Sequence, residues 1–332
     1  MRAAIYERYG GPDVLHVAEV PDPLPRAGQV LVRVHAAEVT KGDCELRSMR
    51  FAVQWFVPLL RVVWGIRRPR KRILGGYFAG TIASGAFEPG SDGRVLGPGD
   101  AVFGTAGVGV GAYGELLVLP ANAAVAHKPA ALSFEQASAL GLGGLNALHF
   151  LTLADVRAGQ RVLVNGAGGS IGSFAVQIAK ARGAHVTAVD AAHKAELLVG
   201  LGAHVFLDYA KDDVASVQTP FDVVFDMVAG SDFNGLRRLL TAEGRYLTGN
   251  PTLLRMLQCA WLSLRGRQRG HFAFARETRA ELEALVHMVD AGALRVVLDG
   301  TYDLEEVAAA HRRVESEARV GMVALGISTP EF

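Results

Sequence analysis

Apolar residues in the first third of the chain come in short runs, at 30–34, 79–83, 101–103 and 115–119, each broken by Gly, Pro or Asp. Such spacing predicts short strands in a compact, mostly antiparallel β domain. The rhythm changes at Arg161, after which six apolar runs follow, at 161–164, 186–189, 204–207, 222–225, 245–248 and 271–275. Most are separated by helix-length segments. Strands alternating with helices fold as βαβ units, which predicts a doubly wound parallel sheet of six strands covered on both faces. Beyond it come a helical stretch at 277–291 stopped by Gly292, an apolar run at 294–298, a helix at 304–316 and a last run at 322–325. These pieces are too few for a third domain. The expected division is therefore a β-rich domain from 1–125 and 276–332, with 126–275 inserted as an α/β domain.

Composition narrows the class. The 332 residues include 34 Lys+Arg and 33 Asp+Glu, a formal charge of +1, which argues against a global affinity for nucleic acid. Half the residues are hydrophobic and 20% are charged, which excludes a disordered chain. The two cysteines, Cys44 and Cys259, lie far apart and can build neither a disulfide framework nor a multi-cysteine zinc site. Residues 1–10 lack the apolar core of a signal peptide, and no apolar run reaches the roughly 18 residues that span a bilayer. A cytoplasmic protein is the expectation.

The strongest local chemistry lies between Arg161 and Asp190. A strand ending near Val164 feeds a turn holding Gly166, Gly168, Gly169 and Gly172, and the turn opens a helix from Ser173 to Arg182. Glycine is needed there because a side chain would hold a pyrophosphate away from the backbone and from the positive helix end. A second strand then ends in an acid, Asp190, about 20 residues past the glycines, which completes the dinucleotide-binding fingerprint. Ala167, Gly168, Gly169, Ser170, Ile171 and Gly172 are the expected pyrophosphate cradle, and Asp190 the ribose ligand. A carboxylate at that position accepts both ribose hydroxyls of NAD and repels a 2′-phosphate. His193 and Lys194 point the other way, since they can pair with that phosphate or stay solvated. The balance leans to NAD(H), with NAD(P)H as the general expectation.

Taken together, the opening MRAAIYERYGGPDVLHVAEVPDPLPRAGQVLVRVHAAEV, the stretch GAYGELLVLPANAAVAHKPAALSFEQASALGLGGLNAL, the turn NGAGGSIGSFAVQIAKARGAHV and the tail YDLEEVAAAHRRVESEARVGMVAL resemble the medium-chain dehydrogenase/reductase superfamily, in its zinc-independent quinone oxidoreductase-like branch. The similarity runs over nearly the whole chain. It implies a GroES-like catalytic domain, a Rossmann domain and commonly a homodimer. It also implies that Tyr209 lies near the adenosine, Val228 and Ala229 after the strand at 222–225, and Gly249, Asn250 and Pro251 near the nicotinamide. The zinc ligands of related alcohol dehydrogenases fall on Thr40, Gly76 and about Leu142, which cannot form a thiolate and imidazole site. No metal is expected. Of the cleft residues common in the quinone oxidoreductase branch, only Asp43 is retained: Thr40 replaces an Asn, Tyr77 an acid, Asn146 a Thr and Met322 a Lys. Tyr77 and Thr40 are the candidate catalytic hydroxyls, with Tyr77 either donating to an acceptor oxygen or simply packed in the core, and Asn146 and Trp55 are the candidate substrate contacts.

Two segments pair grease with cations. Residues 51–66 are apolar almost all round and run into Arg67, Arg68, Arg70, Lys71 and Arg72; residues 253–264 run into Arg265, Arg267 and Arg269. Three readings fit: a roof over an apolar substrate pocket, a subunit interface, or contact with an anionic membrane surface. The expected activity is NAD(P)H-dependent, metal-free reduction of a small apolar quinone or conjugated carbonyl compound. A cofactor-binding peripheral membrane or interaction protein with little catalysis, and a dehydrogenase of an activated alcohol, are the alternatives.

Overall fold

The computed structural model describes residues 1–332 except 52, 53, 55, 92, 108, 109, 250, 273, 274 and 329–332. Trp55 and Asn250 thus lie outside the described residues. The chain divides into two compact units, 1–142 with 277–332, and 143–276.

The first unit begins with β1 (Arg2–Ile5) and β2 (His16–Glu19), an antiparallel pair. β3 (Gln29–Val39) follows, then α1 (Lys41–Ser48), α2 (Val57–Trp64), β4 (Tyr77–Ser84), β5 (Ala101–Thr105), β6 (Leu116–Pro120), β7 (Val125–His127) and the first part of α3 (Phe134–Leu153), whose residues from Gly143 on belong to the second unit. In the middle of its sheet β3 pairs antiparallel with β4 and β6, and its Val30, Val32 and Val34 are fully buried. Their period of two puts one face of the strand into the core. β7 pairs with β5, so the strand at the expected 125/126 boundary belongs to the first unit's sheet, and that unit extends to Leu142.

The second unit carries β8 (Arg161–Asn165), α4 (Ser170–Ala181), β9 (His185–Asp190), α5 (Ala195–Leu201), β10 (Val205–Asp208), β11 (Phe221–Asp226), α6 (Phe233–Arg238), β12 (Leu240–Thr248), α7 (Leu253–Arg265) and β13 (Arg269–Phe272). Each of the six strands overlaps one of the apolar runs, although β12 begins five residues before its run and β13 two residues before its own. They form a wholly parallel sheet in the order β10-β9-β8-β11-β12-β13. Strand order reverses between β8 and β11, and ligands of such sheets gather at the carboxyl ends of the strands beside that switch.

The chain returns to the first unit as α8 (Arg279–Asp290), β14 (Leu298–Asp303), α9 (Val307–Glu315) and β15 (Met322–Gly326), with β15 pairing β3 and completing a seven-stranded sheet. β14 lies downstream of the apolar run at 294–298. Leu294 and Val296 are buried, but the pairing with β15 runs from Leu298 to Asp303, over residues without apolar alternation.

α2 and α7 each bury one side and leave an apolar side exposed. α2 buries Trp64 while Leu59, Val62 and Val63 are exposed, and α7 buries Cys259 and Leu262 while exposing Leu253, Leu254, Leu257 and Leu264. Among the described residues no helix is long and apolar enough to cross a membrane.

Candidate functional site

The glycine-rich turn leaves β8 at Gly166, whose φ of +81° is a left-handed backbone that favours glycine. The amides of Gly166 and Ala167 donate to the Val189 carbonyl at 3.0 and 3.1 Å, stitching the turn to β9. A Cβ on Gly172 would lie 2.3 Å from the Gly166 carbonyl oxygen and 2.7 Å from the Ala167 Cα, so the turn closes only around a glycine. Gly169 differs: a Cβ there meets nothing nearer than the Gly166 oxygen at 3.6 Å. Gly169 is the N-cap of α4 and has no side chain to act as capping acceptor. The oxygen of a bound anion can take that place at the positive end of the helix. These residues fit a pyrophosphate.

Asp190 ends β9 beside this turn. Its Oδ2 accepts from the Gly168 amide at 2.7 Å, and its Oδ1 accepts from the Ala191 amide at 2.8 Å and pairs with Lys194 Nζ at 2.9 Å. Both side chains of the pair are only 8% exposed. The Lys194 stem lies over Gly168, with its Cδ 2.3 Å from where a Cβ would stand. Lys194 is therefore not a solvated surface charge but is buried against the acid. The Tyr209 amide donates to the Asp190 carbonyl at 3.3 Å, and its side chain is exposed. Gly168, Asp190, Lys194 and Tyr209 thus gather at the ends of β9 and β10.

A second group gathers at the ends of β8, β11 and β12. Gly166 faces the Val228 side chain, Gly249 packs against Met227 and Phe150, and the Asn165 side-chain amide donates to Asp226 at 2.9 Å. Ala229 is exposed next to Val228, Pro251 is buried ahead of α7, and Asn146 is half-buried on α3. Here the structure reveals a network that sequence reasoning missed. Asp226, 1% exposed, accepts from Ser231 Oγ and Tyr246 Oη, and Arg255 pairs with it at 3.6 Å while donating to the Tyr246 hydroxyl. Burial and the neighbouring Asp226 raise the Tyr246 pKa. The available signal was one arginine inside the apolar run at 253–264, which this buried acid now explains.

In the first unit Thr40 is the N-cap of α1 in a capping box: its Oγ1 accepts from the Asp43 amide at 3.0 Å and donates to Asp43 Oδ2 at 2.6 Å. The buried Asp43 also accepts from the Gly75 amide, and burial holds its pKa above the ordinary carboxylate value against these hydrogen bonds. Tyr77 packs its ring against Gly141 and donates its hydroxyl to Glu277 Oε1 at 2.5 Å; Glu277 Oε2 accepts from Thr105 Oγ1 at 2.8 Å. Burial first, and Glu277 second, raise the Tyr77 pKa. Glu277 and Thr105 were not foreseen, because 200 residues separate Glu277 from Tyr77. Cys44 and Cys259 are buried thiols pushed up to about 12 and about 11, which removes them as nucleophiles. Among the described residues no group of three or more His, Cys, Asp or Glu side chains could hold a metal ion.

The sequence model of a family described as zinc-binding dehydrogenase matches residues 201–325. The mitochondrial NAD(P)H oxidoreductase RTN4IP1 of Mus musculus is 30% identical to the chain over 95% of this chain and 86% of its own length. The chain belongs to the medium-chain dehydrogenase/reductase superfamily. Within it, the quinone oxidoreductase-like, zinc-independent branch fits, since the quinone oxidoreductase of Homo sapiens is 28% identical over 95% of this chain and 94% of its own. The quinone oxidoreductase structure from Coxiella burnetii superposes with a TM-score of 0.84 at 27% identity, covering 99% of both chains. This superfamily member is an oxidoreductase that binds NAD(P)H without zinc. The expectation of a cytoplasmic protein is overturned: the RTN4IP1 relatives are mitochondrial by name. Low cysteine use, on which that expectation leaned, suits a reducing organelle interior equally well.

Proposed function

We propose that the protein reduces quinones and other conjugated carbonyl compounds with NAD(P)H. The observation that carries the reading is the glycine cradle at the switch point, built on Gly166, Gly169 and Gly172, in a chain whose zinc-ligand positions hold Thr40, Gly76 and Leu142. When bound, the dihydronicotinamide supplies a hydride, and an acceptor with a conjugated carbonyl takes it without the metal polarisation that alcohol oxidation needs. The chain's own part is orientation. Residues 167–172 hold the pyrophosphate, Asp190, Lys194 and Tyr209 hold the adenosine ribose, and Val228 and Gly249 border the nicotinamide. Thr40 and Tyr77 act as positioning groups, because each hydroxyl already donates to a carboxylate. The test is a turnover screen of quinones and enones with NADH and NADPH in the presence of a chelator. Chelator-insensitive consumption with at least one acceptor class is expected; cofactor binding with no turnover across the panel would refute it.

The Asp190–Lys194 pair supports acceptance of both cofactors. The ammonium offsets the carboxylate that would repel a 2′-phosphate, and rotation of its stem off Gly168 would free Asp190 for ribose hydroxyls. Lys194→Ala is expected to raise KM for NADPH about tenfold or more, the scale of one charge-assisted contact, with KM for NADH little changed. Equal effects on both cofactors would sink this assignment. A homodimer is supported by β13, the edge strand of the six-stranded sheet, beside the apolar outer face of α7. Sedimentation equilibrium checks it, with Leu257→Glu expected to weaken association.

A further inference from the structure

The α2 face and the loop after it remain without a role in this chemistry. Leu59, Val62 and Val63, an i, i+3, i+4 stripe on α2, are exposed by 70%, 56% and 61%, and Ile66, just past the end of the helix, is exposed by 62%. Directly after the helix, Arg67, Arg68, Arg70 and Arg72 line a surface concavity together with Ile66. Arg72 pairs with the exposed Glu7 at 3.0 Å, whereas Arg67, Arg68 and Arg70 make no ion pair among the described residues.

This loop is folded rather than trailing. Gly65 has a φ of +122°, and a Cβ on it would lie 2.0 Å from the Arg68 carbonyl oxygen. The Arg70 amide donates to the Trp64 carbonyl at 2.7 Å, Tyr9 Oη to the Gly65 carbonyl at 2.7 Å, and Arg61 to the Ile66 carbonyl at 3.0 Å. The arginines are therefore held beside the apolar stripe, at the negative end of the helix dipole.

We infer that α2 and the loop at 65–72 dock on an anionic phospholipid surface, with Leu59, Val62, Val63 and Ile66 entering the acyl boundary and the arginine-lined concavity taking headgroup phosphates. Charge complementarity selects this occupant. A second copy of the same face would bring arginine cluster against arginine cluster in a two-fold contact. Single-stranded nucleic acid needs exposed aromatic rings for stacking, and the one aromatic residue of α2, Trp64, is buried. Grease beside cations is the pattern of an interfacial helix.

The test is sedimentation of the full chain with phosphatidylcholine vesicles, with and without phosphatidylserine. Binding is expected to require the anionic lipid and to weaken about fivefold for each arginine replaced, hence roughly a hundredfold in Arg67→Gln/Arg68→Gln/Arg70→Gln. Val62→Ser/Val63→Ser should lose binding while keeping cofactor affinity, a readout that separates this surface from the cofactor site. These side chains are exposed, so misfolding does not confound either variant. Failure to sediment with anionic vesicles at low salt would overturn the inference. So would binding that the arginine variant leaves unchanged, or self-association abolished by the valine variant.

Discussion

Gly169 and Gly172 stand three residues apart in the same turn, yet they should fail in opposite ways when each is replaced by alanine. At Gly172 the new Cβ would stand 2.3 Å from the Gly166 oxygen and 2.8 Å from the Ala167 carbonyl carbon, both backbone atoms that cannot swing aside. The turn must open, and a forced methyl in a closed site costs about 1–3 kcal/mol of stability. At Gly169 the Cβ meets only the Gly166 oxygen at 3.6 Å, and the backbone, with φ −83° and ψ 177°, suits alanine. The free protein should therefore unfold within about 0.5 kcal/mol of the parent, like other unstrained surface substitutions. The same methyl would stand at the N-cap of α4 with no near neighbour but the Gly166 oxygen, at the end of the helix to which the pyrophosphate is assigned. Loss of one charge-assisted contact there is worth about 1.5–3 kcal/mol, or roughly a tenfold to hundredfold rise in Kd. Urea unfolding of the free protein and fluorescence titration with NADPH measure the two quantities separately. A Gly169→Ala protein that binds NADPH normally, or that is destabilised as much as Gly172→Ala, would refute the assignment of the cradle.

Tyr77→Phe should lower unfolding free energy by about 1 kcal/mol through the lost bond to Glu277. Steady-state kinetics should show kcat/KM changed only by a small factor, whereas loss of a general acid costs about a hundredfold or more. Arg255→Ala strands the buried Asp226 and should destabilise the protein by about 3–5 kcal/mol in denaturant titrations, with much of that recovered when Asp226→Asn is added. The buried His311 accepts from Arg47 at 3.1 Å, and burial together with that guanidinium lowers its pKa to about 3. The folded chain keeps this ring neutral while the unfolded chain binds a proton below about pH 6.5, so stability should fall as pH drops from there toward 3. The slope attributable to this ring approaches about 1.4 kcal/mol per pH unit, and His311→Gln should flatten it.

The glycine turn and the six parallel strands were legible because their causes are local. A turn that must pass a pyrophosphate needs glycine at particular backbone positions, and a strand buried on both faces must be apolar along its length. The short β14 was harder to see, because its pairing with β15 outweighs the stronger apolar run just before it. Side-chain partnerships were harder still. Asp190 was recognisable by position, but the fold of Lys194 back over Gly168 follows from the 3-10 turn at Ala192–Lys194 that brings the ammonium to the acid. Tyr77 carried a hydroxyl of open purpose until Glu277 was found accepting from it. Arg255 made no sense in a greasy helix until the end of β11 brought Asp226 to it. By itself the sequence determined where the backbone must turn, which stretches must be buried and what the cradle can bind, since those properties belong to consecutive residues. Which hydroxyls are already committed, which charges are neutralised and which apolar faces stay in water were decided only by the tertiary structure, because each depends on what a distant strand or loop places within hydrogen-bonding distance.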